Sequence, residues 1–358
     1  MLSYERYKHL TALTLLQLQV DVREETSPYL PVWLIALHGV GFFGILLYVL
    51  ELGRYFGGVE NYIVALLSTP YEIRGDEFVP TSVGTQLAYL GWFASGWTIY
   101  ELRRKNLSSV WMTLPLFQVL GNLVYINRTR PVWIIFTSIL IWLVYQRNIS
   151  LRYCLKYIVI FAISAMGLFM GIGMWVGKIF EGKYELGGGL LSDIAVEIYI
   201  YGISGFAYFD YLLKHNQIID YFPSKSFYPV LKLLSKVGLA SEPPSQILGF
   251  HPVPFMTNVG TFLEPFYADG GILYVIVGVL TYSYLFDIIG YVFLRTGRPA
   301  EIYAWSNICF CVFMSFFTAK IFSFAFWMFI TIGFFSFLPK MQFFEKKKDR
   351  MLKNSEKG

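Results

Sequence analysis

Six ionisable side chains offer chemistry in this chain: Arg74, Arg128, Arg130, His251, Glu264 and Asp269. Asn258, Thr261, Tyr267 and the tyrosines between 198 and 208 stand with them as polar or aromatic partners. Arginine presents a planar, permanently charged fork that matches phosphate and diphosphate. A carboxylate or an imidazole in a pocket at a membrane edge can act as a general base. Aromatic faces suit the apolar faces of sugar rings. Each residue also has an ordinary alternative. Glu264, ahead of Pro265, suits a helix cap; Asp269, ahead of two glycines, suits a turn; His251, between Phe250 and Pro252, suits packing.

Other chemistries lack their motifs. The chain has no G-x-x-x-x-G-K-[ST] loop, no H-E-x-x-H and no G-x-S-x-G. It also lacks a D-x-D pair of the kind that holds a divalent metal on a nucleotide-sugar, so neither a metal site nor a cofactor is expected. The three cysteines, Cys154, Cys309 and Cys311, lie in or beside apolar runs, without zinc-ligand spacing or an outer partner for a disulfide.

The elements that must position the cluster are those of a membrane bundle. Of 358 residues, 56% are hydrophobic, 19% aromatic and only 15% charged, against about 25% charged in a soluble domain. A spanning helix needs roughly 20 mostly apolar residues. The runs 31–52, 81–100, 107–126, 131–146, 155–177 and 271–294 qualify. The run 303–338 is too long for one crossing and divides near Lys320 into 303–319 and 321–338. The expected fold is therefore an all-α integral membrane protein of about eight transmembrane helices in a single polytopic domain.

The positive-inside rule orients it. The basic tail, 340–358, with Lys346, Lys347 and Lys348, belongs in the cytoplasm. Counting back, 295–298, 146–156, 101–106 and the N-terminus face the same way, and these segments hold most of the 29 Lys and Arg. The net charge of +5 thus reflects topology, and no nucleic-acid partner is expected. Asn127-Arg128-Thr129-Arg130 then falls outside, where short loops are normally poor in Lys and Arg. The two arginines are either helix anchors that snorkel to headgroups or an anion site. Two further outer segments exceed simple connectors. Residues 53–80 cluster Glu72, Arg74, Asp76 and Glu77. The long loop 178–270 includes an apolar stretch, 190–213, carrying Asp193, Glu197 and Asp210, which reads as an amphipathic interfacial or re-entrant helix.

Three stretches resemble the bacterial O-antigen or oligosaccharide repeat-unit polymerases (Wzy-type). They are FGGVENYIVALLSTPYEIRG (56–75), LVYINRTRPVWIIFTSILIWL (123–143) and PFMTNVGTFLEPFYADGGILYVIVGVL (254–280). The resemblance covers roughly 50–338. It departs at INRTRP, which lacks the small Gly-Ser pair often seen before the family's arginine, so Arg128 and Arg130 both remain candidates for the counterpart. The resemblance implies a metal-independent membrane glycosyltransferase at the periplasmic face of the bacterial inner membrane. It would join undecaprenyl-diphosphate-linked repeat units into a surface polysaccharide, O-antigen or capsule, with the bilayer and a chain-length regulator as partners. Glu264, Asp269 or His251 would be the base. Arg74, Arg128, Arg130, Asn258, Thr261 and Tyr267 would bind diphosphate and glycan.

Two alternatives share these features. A flippase for the same lipid-linked sugars buries charges near the midplane, whereas here ionisable residues away from the span ends are few, His38 and Asp287. An O-antigen ligase would use the same arginines with an outer histidine, and His251 keeps that reading open. His38 reads as a packed neutral imidazole, and Asp287 as either a functional carboxylate or a helix-packing one.

Overall fold

The structure, a computed structural model, describes residues 30–68, 83–125, 129–144, 190–216, 223–244, 251–252, 256–257, 260–296 and 298–334, with scattered positions between 156 and 174. Of the residues singled out above, Glu72, Arg74, Asp76, Glu77, Asn127, Arg128, Cys154, Asn258 and the tail lie outside this set. The described elements are α1 (Leu30–Tyr55), α2 (Val59–Ser68), α3 (Val83–Arg103), α4 (Thr113–Gly121), α5 (Thr129–Val144), α6 (Leu190–His215), α7 (Tyr228–Lys236), α8 (Glu264–Thr296), α9 (Pro299–Met314) and α10 (Phe324–Phe334). One two-residue antiparallel ladder joins β1 (His251–Pro252) to β2 (Met256–Thr257). The all-α expectation holds apart from that ladder.

Two described helices are long and apolar enough to cross a membrane, α1 and the stretch Glu264–Phe293 of α8. Among the described residues the expected count of eight is not reached; most of the expected span 155–177 and the end of 321–338 lie outside them. The run 107–126 is not one helix: 3-10 turns at Ser109–Met112 and Asn122–Tyr125 flank the nine-residue α4. Amide side chains are the local reason. Asn122 donates to Gln118 O at 2.8 Å, and Gln118 donates to His38 O at 3.1 Å, so both fix backbone geometry rather than face lipid. α5 is described over 16 residues, matching most of the expected run 131–146. The division near Lys320 is present. α9 ends at Met314, a 3-10 turn covers Lys320–Phe322, and α10 starts at Phe324. Ile272, Leu273, Ile276, Val277 and Leu280 of α8 are exposed, a face covered by no other part of the described chain. A soluble protein's core helix would bury that face.

The core lies among α3, α5, α9 and α10. Trp133 stacks on Phe310 with ring centroids 4.5 Å apart and donates its indole N–H to Asn307 Oδ1 at 2.6 Å. Trp92 donates to Asn122 Oδ1 at 2.9 Å. His38 is buried with its Nε2 3.1 Å from Thr98 Oγ1, a packed imidazole as expected. α1 crosses α3 where glycines let the two backbones touch. A Cβ on Gly44 would lie 2.5 Å from Ala88 N, and one on Gly84 would lie 2.6 Å from Gly44 O. Small residues at such a crossing are the packing mode of membrane helices. Gly44→Val is expected to push the helices apart and destabilise the fold by about 1–3 kcal/mol, measured as a lower melting temperature in detergent, with Gly39→Val as the neutral control because space there is open.

Candidate functional site

α8 is two helices joined by a kink. Gly270 is extended (φ −177°), and Gly271 adopts φ +71°, a left-handed conformation that favours glycine. The kink separates a short N-terminal helix, Glu264–Asp269, from the apolar stretch that follows. Thr261 caps this short helix. Its carbonyl accepts the Glu264 N–H at 3.2 Å and its hydroxyl accepts the Leu263 N–H at 3.3 Å.

The short helix is tied to a distant turn, Pro223–Phe227. Asp269 is fully buried. Its Oδ1 accepts the Lys225 N–H at 2.9 Å and, more weakly, the Ser224 hydroxyl at 3.4 Å. Its Oδ2 accepts the Ser226 N–H at 2.7 Å and the Ser226 hydroxyl at 2.6 Å. Each carboxylate oxygen has about two acceptor sites, so four donors saturate the group and leave no lone pair for a substrate proton. Glu264, also buried, accepts the Lys225 ammonium at 2.5 Å. A buried carboxylate needs such a counter-charge. Lys225, Glu264 and Asp269 therefore form one closed knot.

Tyr267 and the α6 side chains Tyr208 and Leu212 pack together beside it. His251 sits between the rings of Tyr208 and Tyr211, each 5.2 Å away by centroid, and is half-buried. Burial, reinforced by the Glu264 carboxylate and Tyr211, pushes the Tyr208 hydroxyl up to about 12, so it stays a proton donor at neutral pH. α6 approaches closely at Gly205, where an added Cβ would lie 2.8 Å from Phe316 O and 3.3 Å from the Thr261 methyl.

Arg130 occupies a separate aromatic cage. Its guanidinium lies 3.7 Å from the Tyr125 ring centroid, 5.5 Å from Tyr89 and 5.7 Å from Trp92. One guanidinium nitrogen is buried without a hydrogen bond among the described residues. Its position in the first turn of α5 is unfavourable for a cation by about 0.3–1 kcal/mol, because the helix N-terminus is itself positive. Helix stability therefore does not account for it. Lys320, half-buried in the break between α9 and α10, is the second cation. Burial lowers its ammonium pKa; nearby Cys311 works against that shift and the Arg130 cation adds to it. Neither Arg130 nor Lys320 has an ion pair among the described residues, so the fixed guanidinium charge leaves positive potential in a partly desolvated place. Such a place is suited to an anion.

The 315–323 break touches both regions. Ser315 O accepts the Phe262 N–H at 2.9 Å, Phe316 O abuts Gly205, and Lys320 lies within reach of the Arg130 charge. The structure thus gathers Thr261, Glu264, Tyr267 and Asp269, with His251 reaching them through Tyr208, and sets Arg130 across the break. Lys225 and Lys320 were missed as site residues, whereas Tyr208 falls among the tyrosines of 198–208 already singled out. Lys320 had a signal, as the one Asp, Glu, Lys or Arg within 303–338. Lys225 had none, since its role depends on a contact 39 residues away. Among the described residues no group of three or more His, Cys, Asp or Glu could hold a metal ion. Compared with known proteins, the chain matches no family model, no curated protein and no solved structure.

Proposed function

We propose that this chain is a polymerase of lipid-diphosphate-linked oligosaccharides, of the O-antigen (Wzy) type its sequence resembles. It is a polytopic protein of the bacterial inner membrane, of about eight spans, with this site on the periplasmic side. The observation that carries the reading is the Arg130 guanidinium, caged by Tyr125, Tyr89 and Trp92 with one nitrogen buried and unbonded among the described residues, one break away from a buried acid–base knot and its flanking tyrosines.

In the reaction, a hydroxyl at the non-reducing end of one lipid-linked unit attacks the anomeric carbon of the growing chain. The new glycosidic bond forms as the bond from that carbon to the carrier's phosphate oxygen breaks. The hydroxyl proton passes to a base, and the electron pair leaves with the lipid diphosphate. Arg130 and Lys320 neutralise the charge developing on that leaving group, joined by Arg128 and Arg74. His251 is the accessible base, because Asp269 is saturated and Glu264 is paired with Lys225. Those two carboxylates position the platform, and Tyr208, Tyr211 and Tyr267 offer ring faces to sugars together with Asn258 and Thr261.

The test is reconstitution of the purified full-length protein with a lipid-linked repeat unit, followed by gel separation. A ladder of products is expected, unchanged by a chelator such as EDTA. Intact single units moved across the bilayer without a ladder would instead indicate a flippase. Transfer of finished glycan to a lipid A core would indicate a ligase.

A further inference from the structure

We propose that α7 is a membrane-surface anchor, its apolar face seated among the acyl chains of the outer leaflet. The proposal rests on α8 crossing the bilayer but not on the catalytic reading above. At 100° per residue, Phe227, Val230, Leu233, Leu234 and Val237 fall within about 120° of one another, while Lys232, Ser235 and Lys236 take the opposite side. α7 buries none of its residues against the protein, and Phe227, Val230, Leu233 and Val237 are 53%, 53%, 59% and 62% exposed. A nine-residue helix is too short to hold itself together in water. It needs a surface, and the described protein supplies none for its apolar face.

The tether fixes which surface this is. The backbone of Lys225 and Ser226 is bonded to Asp269, two residues before the kink glycine that opens the apolar part of α8. α7 starts two residues beyond Ser226, so its first turn lies within about 7 Å of that anchor point. The helix is thereby held at the depth where α8 enters lipid, and the exposed Ile272, Leu273, Ile276 and Val277 of α8 continue the apolar surface inward. Lys236 is exposed and carries no ion pair among the described residues, while Lys232 pairs with Glu242. A lysine on the polar side of an interfacial helix meets headgroup phosphates.

The test uses the unmodified full-length protein in vesicles of phosphatidylethanolamine and phosphatidylglycerol containing a phospholipid with a diazirine in one acyl chain. After photolysis, peptide mass spectrometry locates the adducts. Adducts on 227–239 at a level comparable with those on 272–285 support the anchor. Val230→Glu with Leu233→Glu is expected to reduce the α7 adducts by at least about tenfold while leaving the α8 adducts unchanged. Adducts on α8 with none on α7 overturn the proposal and leave the membrane reading intact. Absence of adducts from both overturns the crossing by α8 and the anchor with it.

Discussion

Arg130→Ala is expected to stop glycan chain growth while single repeat units continue to reach the cell surface. The guanidinium sits in a cage of Tyr125, Tyr89 and Trp92, with Lys320 as a second cation and no carboxylate paired to either among the described residues. Its positive charge is preorganised, because the rings hold it in place before any anion arrives. Removing one such donor from a transition state with developing charge typically lowers the rate by about 10²–10³-fold. Arg130→Lys should recover little of this. An ammonium cannot lie flat over the Tyr125 ring or offer a bidentate fork. Lys320→Ala should give a smaller loss, of about tenfold, since a lysine acts as a point charge. The measurement is the length distribution of product glycan at matched protein level. Arg128→Ala belongs in the same series and decides which of the two arginines is the counterpart suggested by the sequence. If long chains persist in the Arg128 and Arg130 variants alike, the diphosphate role is wrong.

The second large effect is on stability. Lys225→Met leaves the Glu264 carboxylate buried beside Asp269 without its counter-ion, and Glu264→Gln does the same to Lys225. Either is expected to cost about 3–5 kcal/mol, because an uncompensated charge remains in a low-dielectric site. The double variant Lys225→Met with Glu264→Leu should regain most of that loss, since apolar side chains of similar volume replace the pair. Asp269→Asn tests the other half of the knot. Its amide NH₂ would have to face a backbone N–H of Lys225 or Ser226, both donors, so two hydrogen bonds become a repulsion. The expected cost is about 2–4 kcal/mol. Thermal unfolding in detergent measures all four variants. Limited trypsin digestion gives a second readout, because release of the 223–227 turn should speed cleavage at Lys232 and Lys236, and at Lys225 where that lysine is retained. A Lys225→Met variant as stable as the parent would contradict the buried ion pair.

What the sequence determined by itself was everything that depends on composition along the chain. Long apolar runs with few charges pointed to helices over 31–52, 131–146 and 271–294, which α1, α5 and α8 contain or largely overlap. Lys320 inside an apolar run marked the break between α9 and α10. Carboxylates in 190–213 kept α6 from reading as a simple crossing, and the glycine pair after Asp269 marked a turn, which the structure shows as a kink within α8. The candidate residues Glu264, Asp269, Thr261 and Tyr267 were legible as a group because they share one short helix and its cap.

Tertiary structure decided what each of them does. Asp269 was a plausible base until the 223–227 turn, 43–45 residues away, placed four donors on it. Glu264 was a free carboxylate until Lys225 reached it. The run 107–126 scored as one span by hydropathy, yet Gln118 and Asn122 turn their amides onto backbone and break it into a short helix and two 3-10 turns. Arg130 and Lys320 lie 190 positions apart in the chain, and only the packing of α5 against α9 brings their charges within reach of each other. Hydropathy is a local sum and reads such runs well. Hydrogen bonds and charge pairs between distant segments depend on which surfaces meet, and that is settled only when the helices pack.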